Sequence, residues 1–235
     1  MGTCSFYRLC SCLGVLRQAR GFGLPAVFCS LLATGMLWAS REALLPAGLA
    51  ENMSTRYGAG ASERLHRWEA VVLGERGSHG AERLGSVNRF LNRMTFVSDR
   101  EHWQLADYWA TPAEFLATGA GDCEDYALAK LFSLYLAGTP LSRLRLMYVE
   151  ALPQGEPHMV LLYTPEGGEP LVLDNLNGEI LPASARTDLR PVYSFNGAGL
   201  WLNNQPGGEK PVPRYRGSRL WDNVVARMRR EGFDL

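Results

Sequence analysis

The body of this chain changes from helical to strand-like patterning near residue 138. Residues 62–73 and 81–94 repeat apolar side chains at helical spacing, as amphipathic helices do. From residue 143 onward the apolar residues form short or alternating runs separated by turn residues, at 143–152, 157–163, 170–176 and 191–195. Helices followed by strands favour an α+β fold in which N-terminal helices pack on an antiparallel sheet.

The composition fits one globular domain without a strongly charged surface. The chain has 235 residues, 46% of them hydrophobic, which is enough for a single sizeable core. Its 24 basic and 24 acidic side chains cancel, so the chain lacks the basic excess that phosphate backbones attract. The composition therefore argues against a nucleic-acid-binding protein.

The first forty residues have the pattern of a targeting segment. Residues 21–40 are uncharged, and the three arginines before them are accompanied by no acidic residue. A helix of that length spans roughly 30 Å, about the hydrocarbon thickness of a bilayer. The pattern predicts an export signal, with a small-residue cleavage motif at Gly48-Leu49-Ala50, or a retained membrane anchor. Residues 1–50 are thus assigned to this segment and residues 51–235 to an exported body, for which export from a bacterial cytoplasm would mean the periplasm.

Cysteine usage distinguishes the two parts of the chain. Four of the five cysteines lie within residues 1–40, and Cys123 stands alone in the body. A lone cysteine in an exported domain has no partner for an intrachain disulfide. Cys123 is therefore either an inert buried thiol or a reactive one.

Local signals predict that Cys123 lies at the start of a helix. Residues 111–114 (Thr-Pro-Ala-Glu) carry an N-cap, a first-turn proline and a capping-box glutamate, and residues 119–121 (Gly-Ala-Gly) end that helix. Asp122 is then the candidate N-cap of a second helix that reaches about residue 137. We expect this helix to bury one stripe of side chains: Ala127, Leu128, Leu131, Leu134 and Tyr135.

The C-terminal part of the chain predicts a loop and a last helix. Residues 203–217 are rich in proline and glycine and are expected to form a surface loop. Ser218 then begins a helix, and one of its faces carries the apolar residues Trp221, Val224, Val225 and Met228.

The surroundings of Cys123 act on its ionisation in opposite directions. Free backbone amides and the helix dipole favour a thiolate, the nucleophilic form, in the first helical turn. The adjacent carboxylates of Asp122, Glu124 and Asp125 oppose it. We therefore expect a positive group nearby, which can be an imidazolium, a metal ion or both. Helix capping alone is the alternative explanation for Asp122 and Asp125.

His158 and Asp174 fall in neighbouring strand-like runs. A hairpin that turns at Glu166 places them directly opposite each other, roughly 5 Å apart. A turn centred at Gly167 makes them diagonal neighbours that are still within reach. An Asp that orients a His near a Cys at a helix start is the arrangement of nucleophilic thiol catalysis. The alternative is a core histidine with a turn-forming aspartate.

The other three histidines offer no comparable pattern. His66, His79 and His102 lie in polar surroundings, where a surface position is expected. One body cysteine with scattered histidines shows no zinc-ligand spacing. The sequence therefore gives little support to a zinc site.

At these residues the chain resembles the bacterial transglutaminase-like cysteine peptidases, specifically the LapG-type periplasmic proteases. The resemblance spans roughly residues 82–202 and is carried by five blocks: 109–116, 121–127 with Lys130, 158–161, 173–176 and 191–196. It implies a papain/transglutaminase-like α+β fold. It also implies that Cys123 is the nucleophile, that His158 is the general base and acid, and that Asp174 orients the imidazole.

The resemblance further implies a cofactor and two partners. Asp122 and Glu124, which flank the nucleophile, are expected to bind Ca2+, and this would supply the missing positive charge. LapG-type proteases cleave the N-terminal region of a large surface adhesin, which disperses biofilm. An inner-membrane cyclic di-GMP receptor of the LapD type holds them inactive by binding them.

Two other functions are compatible with the same residues. An acyl transferase of the transglutaminase type would use the same triad with an amine in place of water. A non-catalytic module would keep the fold as a surface for docking to a receptor.

For the oxyanion, the backbone amide of Cys123 is a natural donor. Trp109 is either a second donor or a packed aromatic residue.

Overall fold

The computed structural model describes residues 43–203, 209–215 and 217–233. The apolar segment at residues 21–40 and the four N-terminal cysteines lie outside these ranges. Within them, no helix is both long and apolar enough to cross a membrane.

Seven α-helices make up the helical part of the described chain. They are α1 (Leu49–Tyr57), α2 (Gly60–Gly74), α3 (Ala81–Leu91), α4 (Asp99–His102), α5 (Pro112–Thr118), α6 (Cys123–Leu136) and α7 (Arg219–Arg230). The helices expected at 62–73, at 81–94, on both sides of residues 119–121 and after Ser218 are all present.

In the same ranges, nine strands form two sheets. Strands β1 (Thr95–Phe96) and β2 (Ala120–Gly121) pair in parallel as a separate small ladder. The main sheet contains β3 (Leu144–Ala151), β4 (Glu156–Tyr163), β5 (Leu171–Leu173), β6 (Leu181–Pro182), β7 (Leu189–Asn196), β8 (Gly199–Leu202) and β9 (Lys210–Pro211). Its order is β6-β5-β4-β3-β7-β8-β9, and each pair is antiparallel. The predicted α+β class is confirmed.

Five strands depart from the sequence expectation. Strands β1, β2, β6 and β8 were not predicted, and β9 lies within the expected loop at 203–217, where it pairs with β8. Each has only two to four residues, so none is long enough to show an alternating pattern. Their pairing depends on partners elsewhere in the sheet rather than on local sequence.

The main core lies between the helices and one face of the sheet. Helix α6 packs directly on β4 and buries nearly all of its length, including Leu128, Leu131 and Leu134. Trp68 of α2 is fully buried behind it and donates its indole N–H to Ser133 Oγ at 2.7 Å. A smaller apolar cluster covers the opposite face of the sheet. Helix α6 therefore has a fixed position relative to β4, and so has its first residue, Cys123.

Two side chains differ from their predicted exposure. Tyr135 is 36% exposed, because it lines an open groove between α6 and α7 instead of the core. His102 is half-buried rather than on the surface, because its ring packs against Trp103 with the ring centroids 4.5 Å apart.

The packed core begins before the predicted boundary at residue 50. Leu45, Leu49 and Ala50 are buried in it. Glu69 Oε1 also accepts the backbone N–H groups of Leu44 at 2.8 Å and Leu45 at 3.0 Å. Cleavage after Ala50, at the predicted motif, would therefore remove three buried side chains from the body.

Candidate active site

Two consecutive helices place Cys123 at the first position of α6. The capping box of α5 forms as predicted: Thr111 Oγ1 accepts the Glu114 N–H at 3.1 Å, and Glu114 Oε2 accepts the Thr111 N–H at 3.0 Å. Gly119 ends α5 in the left-handed conformation, with φ 73°. Only β2 and Asp122 then separate α5 from α6. A side chain at Gly121 would collide with Asp125 and Phe115, so this short link needs glycine.

The Cys123 thiol is half-buried between a carboxylate and strand β4. Its Sγ lies 3.1 Å from Glu124 Oε2, and the backbone N–H of Met159 donates to the sulfur. Met159 follows His158 directly, so the thiol lies against the strand that carries the histidine. Burial raises the pKa of the Cys123 thiol, and the charge of Glu124 raises it further. The neighbouring carboxylates thus oppose the thiolate, as the sequence suggested.

His158 and Asp174 are in contact. His158 Nε2 and Asp174 Oδ1 are 2.8 Å apart, and both residues are almost completely buried. Strands β4 and β5 pair Leu161 with Leu173 and Tyr163 with Leu171, a register that corresponds to a turn at Gly167. The two residues are therefore diagonal neighbours, the second of the two arrangements considered above. Gly167 has φ 65°, which this turn requires and which favours glycine.

The Asp174 carboxylate is held by three donors and a backbone contact. Oδ1 accepts the Leu176 N–H at 3.0 Å in addition to its contact with His158, and Oδ2 accepts Arg186 Nη2 at 2.7 Å. Asn92 Nδ2 donates to the Asp174 backbone oxygen at 2.8 Å. Burial opposes ionisation, but the interactions with His158 and Arg186 outweigh it and lower the pKa of Asp174 to about 2. Asp174 is therefore an anion over the whole neutral range.

Lys130 adds a second buried cation to this region. It lies two helical turns after Cys123 on α6 and is 1% exposed. Burial lowers the pKa of Lys130 to about 7, although the charge of Asp174 acts in the opposite direction. Lys130, which belongs to one of the blocks that carried the resemblance, thus interacts electrostatically with Asp174 of the His158–Asp174 pair.

Five carboxylates gather beside the nucleophile. Oxygens of Asp99, Asp107 and Glu124 lie within 4.8 Å of one another, and so do those of Asp99, Asp122 and Asp125. Sequence analysis singled out Asp122 and Glu124 but missed Asp99 and Asp107. Asp99 follows the α4 N-cap Ser98, so it looks like an ordinary first-turn acid. Asp107 lies in the irregular segment between α4 and α5 and gives no local signal.

The electrostatics of this acidic cluster fit a hard cation. Burial is the largest cause that raises the pKa of Asp99 to about 6 and of Asp122 to about 9, and Glu124 adds to both shifts. The pKa of Asp125 is also well above its usual range, again mainly because of burial. Oδ1 of Asp99 and Oδ1 of Asp122 are buried without a hydrogen-bond partner in the described ranges. Oxygen-only donors of this kind suit Ca2+, and neither group contains a Cys or His that zinc would favour.

Trp109 is a packed aromatic residue. It is 7% exposed and stacks on Phe195 with ring centroids 5.9 Å apart. Its side chain also donates a hydrogen bond to Asp107, which engages its only N–H donor. This arrangement leaves the backbone amide of Cys123 as the oxyanion donor indicated by the sequence.

Comparisons with known proteins agree with this geometry. A family model for bacterial transglutaminase-like cysteine proteinases matches residues 64–195. Calcium-bound LapG from Legionella pneumophila is 36% identical, with a TM-score of 0.65, and the match covers 76% of this chain and 97% of that one. The EGTA-treated form is 35% identical, with a TM-score of 0.65, and the match covers 79% of this chain and 98% of that one. A comparison with curated proteins gives no match.

The family match spans more than half of the chain and includes Cys123, His158 and Asp174. The solved LapG structures share both the fold and more than a third of the aligned residues. The chain therefore belongs to the bacterial transglutaminase-like cysteine proteinase family and is a cysteine peptidase.

Proposed function

We propose that this protein is a calcium-dependent cysteine endopeptidase that cleaves the N-terminal region of a large surface adhesin and so promotes biofilm dispersal. The observation that supports the catalytic part is the 2.8 Å contact between His158 Nε2 and Asp174 Oδ1. The Cys123 thiol lies beside this pair, because it accepts the backbone N–H of Met159, the residue after His158. The likeness to LapG supports the choice of substrate.

In the proposed reaction, Cys123 attacks a backbone carbonyl carbon of the adhesin. His158 takes the thiol proton on Nδ1, the ring nitrogen that does not face Asp174. The thiolate then adds to the carbonyl, and His158 returns the proton to the leaving amine as the C–N bond breaks. A thioester to Cys123 remains, and a water molecule deprotonated by His158 hydrolyses it to a carboxylate.

Asp174 and the start of α6 stabilise the charges that develop in this reaction. Asp174 is ionised throughout the neutral range, so it stabilises the imidazolium of His158 and fixes its orientation. The backbone N–H of Cys123, in the first turn of α6, is placed to donate to the oxyanion.

The acidic cluster is the proposed calcium site. Asp99, Asp107, Asp122 and Glu124 would supply carboxylate oxygens, and Asp125 joins them while it accepts the Ala110 N–H at 2.7 Å. Bound Ca2+ would neutralise the carboxylates that oppose the Cys123 thiolate. The calcium-bound and EGTA-treated forms of Legionella LapG support this choice of metal.

We also propose that the protein works in the periplasm, after export or while anchored by its N-terminal segment. A receptor of the LapD type that binds cyclic di-GMP is the proposed inhibitor. These proposals rest on the family resemblance and on the uncharged run at residues 21–40.

The test is cleavage of a purified adhesin N-terminal fragment with added Ca2+ and with EGTA. We expect defined fragments with Ca2+, little cleavage in EGTA, and none from Cys123→Ala, which should keep the wild-type melting temperature. Undiminished cleavage in EGTA would contradict the calcium requirement. Incorporation of a labelled amine in place of hydrolysis would show an acyl transferase.

A further inference from the structure

Arg186 is a buried cation that reaches the His158–Asp174 pair from outside the family blocks that carried the resemblance. It follows the short helical turn Ala183–Ala185, between strands β6 and β7, and is 4% exposed. Its Nη2 lies 2.7 Å from Asp174 Oδ2. Asp188 accepts Nε at 2.9 Å and the same Nη2 at 2.7 Å, so its two oxygens bind the guanidinium in a bidentate pair. The guanidinium is thus locked between two carboxylates.

The contacts divide the two oxygens of Asp174 between separate partners. Oδ1 faces His158 Nε2 and the Leu176 N–H, whereas Oδ2 has the guanidinium of Arg186. Rotation of a carboxylate about its last torsion angle is intrinsically soft, so contacts to Oδ1 alone would define its plane poorly. A contact of Oδ2 with a guanidinium that two hydrogen bonds to Asp188 hold in place defines that plane better.

We propose that Arg186 is a positioning residue for catalysis: it fixes the Asp174 carboxylate so that Oδ1 stays directed at His158. This role depends on the proposed function of the His158–Asp174 pair. Arg186 acts through Asp174 and contacts neither the thiol nor, in this proposal, the substrate.

The other charged groups around Asp174 cannot take over this task. Lys130 faces the region from α6, but burial lowers its pKa to about 7, so it carries only part of a charge near neutrality. Its Nζ lies 5.9 Å from the centroid of the Tyr126 ring. Asp188 faces Arg186, but its negative charge would repel the Asp174 carboxylate rather than hold it. Of the two cations near Asp174, Lys130 and Arg186, only Arg186 is therefore fully charged at neutral pH.

The arrangement is also not the one that stability alone would favour. Nη1 of Arg186 is buried and has no hydrogen-bond partner in the described part of the protein. Buried ion pairs are often no more stabilising than well-packed apolar residues, and an unpaired donor makes this one less favourable. A positioning role explains why a guanidinium occupies this place.

The test compares Arg186→Lys and Arg186→Met with the wild type in cleavage of the adhesin fragment. We expect kcat to fall about 100-fold in Arg186→Met, since misplacement of a catalytic pair has effects of this size, with KM within twofold. A lysine keeps the charge but not the planar fork, so Arg186→Lys should lose about 10-fold in kcat. The matched control is Arg190→Met, which removes an exposed arginine that pairs with Glu150 and should leave kcat unchanged.

A low-field proton NMR signal gives a second, assay-independent readout. The hydrogen bond between His158 and Asp174 should produce a signal that disappears in Asp174→Asn, and Arg186→Lys should shift or broaden it. An unchanged signal together with wild-type kcat in folded Arg186→Lys would overturn the proposal, and so would a loss confined to KM. If Arg186→Met does not fold, Arg186→Lys decides the question by the same two readouts. Absence of cleavage by the wild type would instead refute the proposed function, while the NMR comparison would still test the positioning.

Discussion

Asp174 shows how one side chain acquires its chemistry from its partners. Burial alone would favour the neutral acid, yet contacts with His158 and Arg186 keep it ionised, with a pKa of about 2. Cys123 is the opposite case, because burial and Glu124 both raise its pKa. A reactive thiol therefore requires both His158 and a bound cation in the proposed mechanism.

The Asp174→Asn variant keeps His158 but should lose the orientation that Asp174 gives to its ring. The amide would offer His158 a donor where the ring needs an acceptor, so we expect kcat to fall by about 10,000-fold. Cleavage kinetics on the adhesin fragment measure this. Asp188→Asn is the matched control, because Asp188 also binds Arg186 but makes no recorded contact with His158. Equal losses in the two variants would contradict the role of Asp174.

Among the elements, five helices (α2, α3, α5, α6 and α7) were predictable because their signals are local, whereas α1 and α4 were not predicted. The caps of α5, the glycines after it and the start of α6 at Cys123 can all be read from adjacent residues. The β4–β5 register left two possibilities, and the turn at Gly167 selects the diagonal one. Asp99, Asp107 and Arg186 could not be found in this way, because folding brings them to the site from segments with no local motif.

The carboxyl groups of the acidic cluster, held by the elements around it, should make the free energy of unfolding depend on pH. Bound Ca2+ should change that dependence. The pKa of Asp99 is raised to about 6 and that of Asp122 to about 9. For acids with raised folded-state pKa values, the unfolded state releases protons first, so stability falls as pH rises. In EGTA we expect the cluster to lower the free energy of unfolding progressively between about pH 4 and pH 9. Lys130, whose pKa is lowered to about 7, contributes in the opposite direction above about pH 7, with or without Ca2+.

Added Ca2+ should remove the contribution of the cluster to this decrease, because it binds the ionised carboxylates of the folded state. Urea titrations at several pH values, with Ca2+ and with EGTA, measure the difference. The contribution of Glu231, whose burial raises its pKa to about 7, does not involve the cluster and should appear under both conditions. Identical pH profiles would contradict the metal site.

For the whole molecule, the C-terminal helix supports the start of α5, which lies between Asp107 and Asp122 of the acidic cluster. Arg227 of α7 binds Glu114 and the Trp109 backbone oxygen, and Thr111 Oγ1 donates to Glu231 at 2.7 Å. Arg227 and Glu231 lie outside the blocks on which the resemblance rested. The class of fold followed from the order of helices and strands, but the contact between the C-terminal helix and α5 required the structure.

The extent of the core gives a prediction about the N-terminus. A chain that begins at residue 51 lacks buried Leu45, Leu49 and Ala50, whereas one that begins at residue 43 keeps them. Losing two buried leucines should lower the free energy of unfolding by about 4 kcal/mol or more. Urea unfolding of the two chains measures this. Equal stability would show that residues 43–50 contribute little to the body.

The most direct test of the central claim is mass spectrometry of the enzyme quenched with acid during turnover of the adhesin fragment. We predict a thioester between Cys123 and the new C-terminus of the N-terminal part of the substrate. Acid preserves this thioester because it protonates His158, which can then no longer deprotonate the hydrolytic water. In Cys123→Ala the adduct should be absent. Cleavage that proceeds at the normal rate in Cys123→Ala, or an acyl adduct on a different residue, would contradict the account.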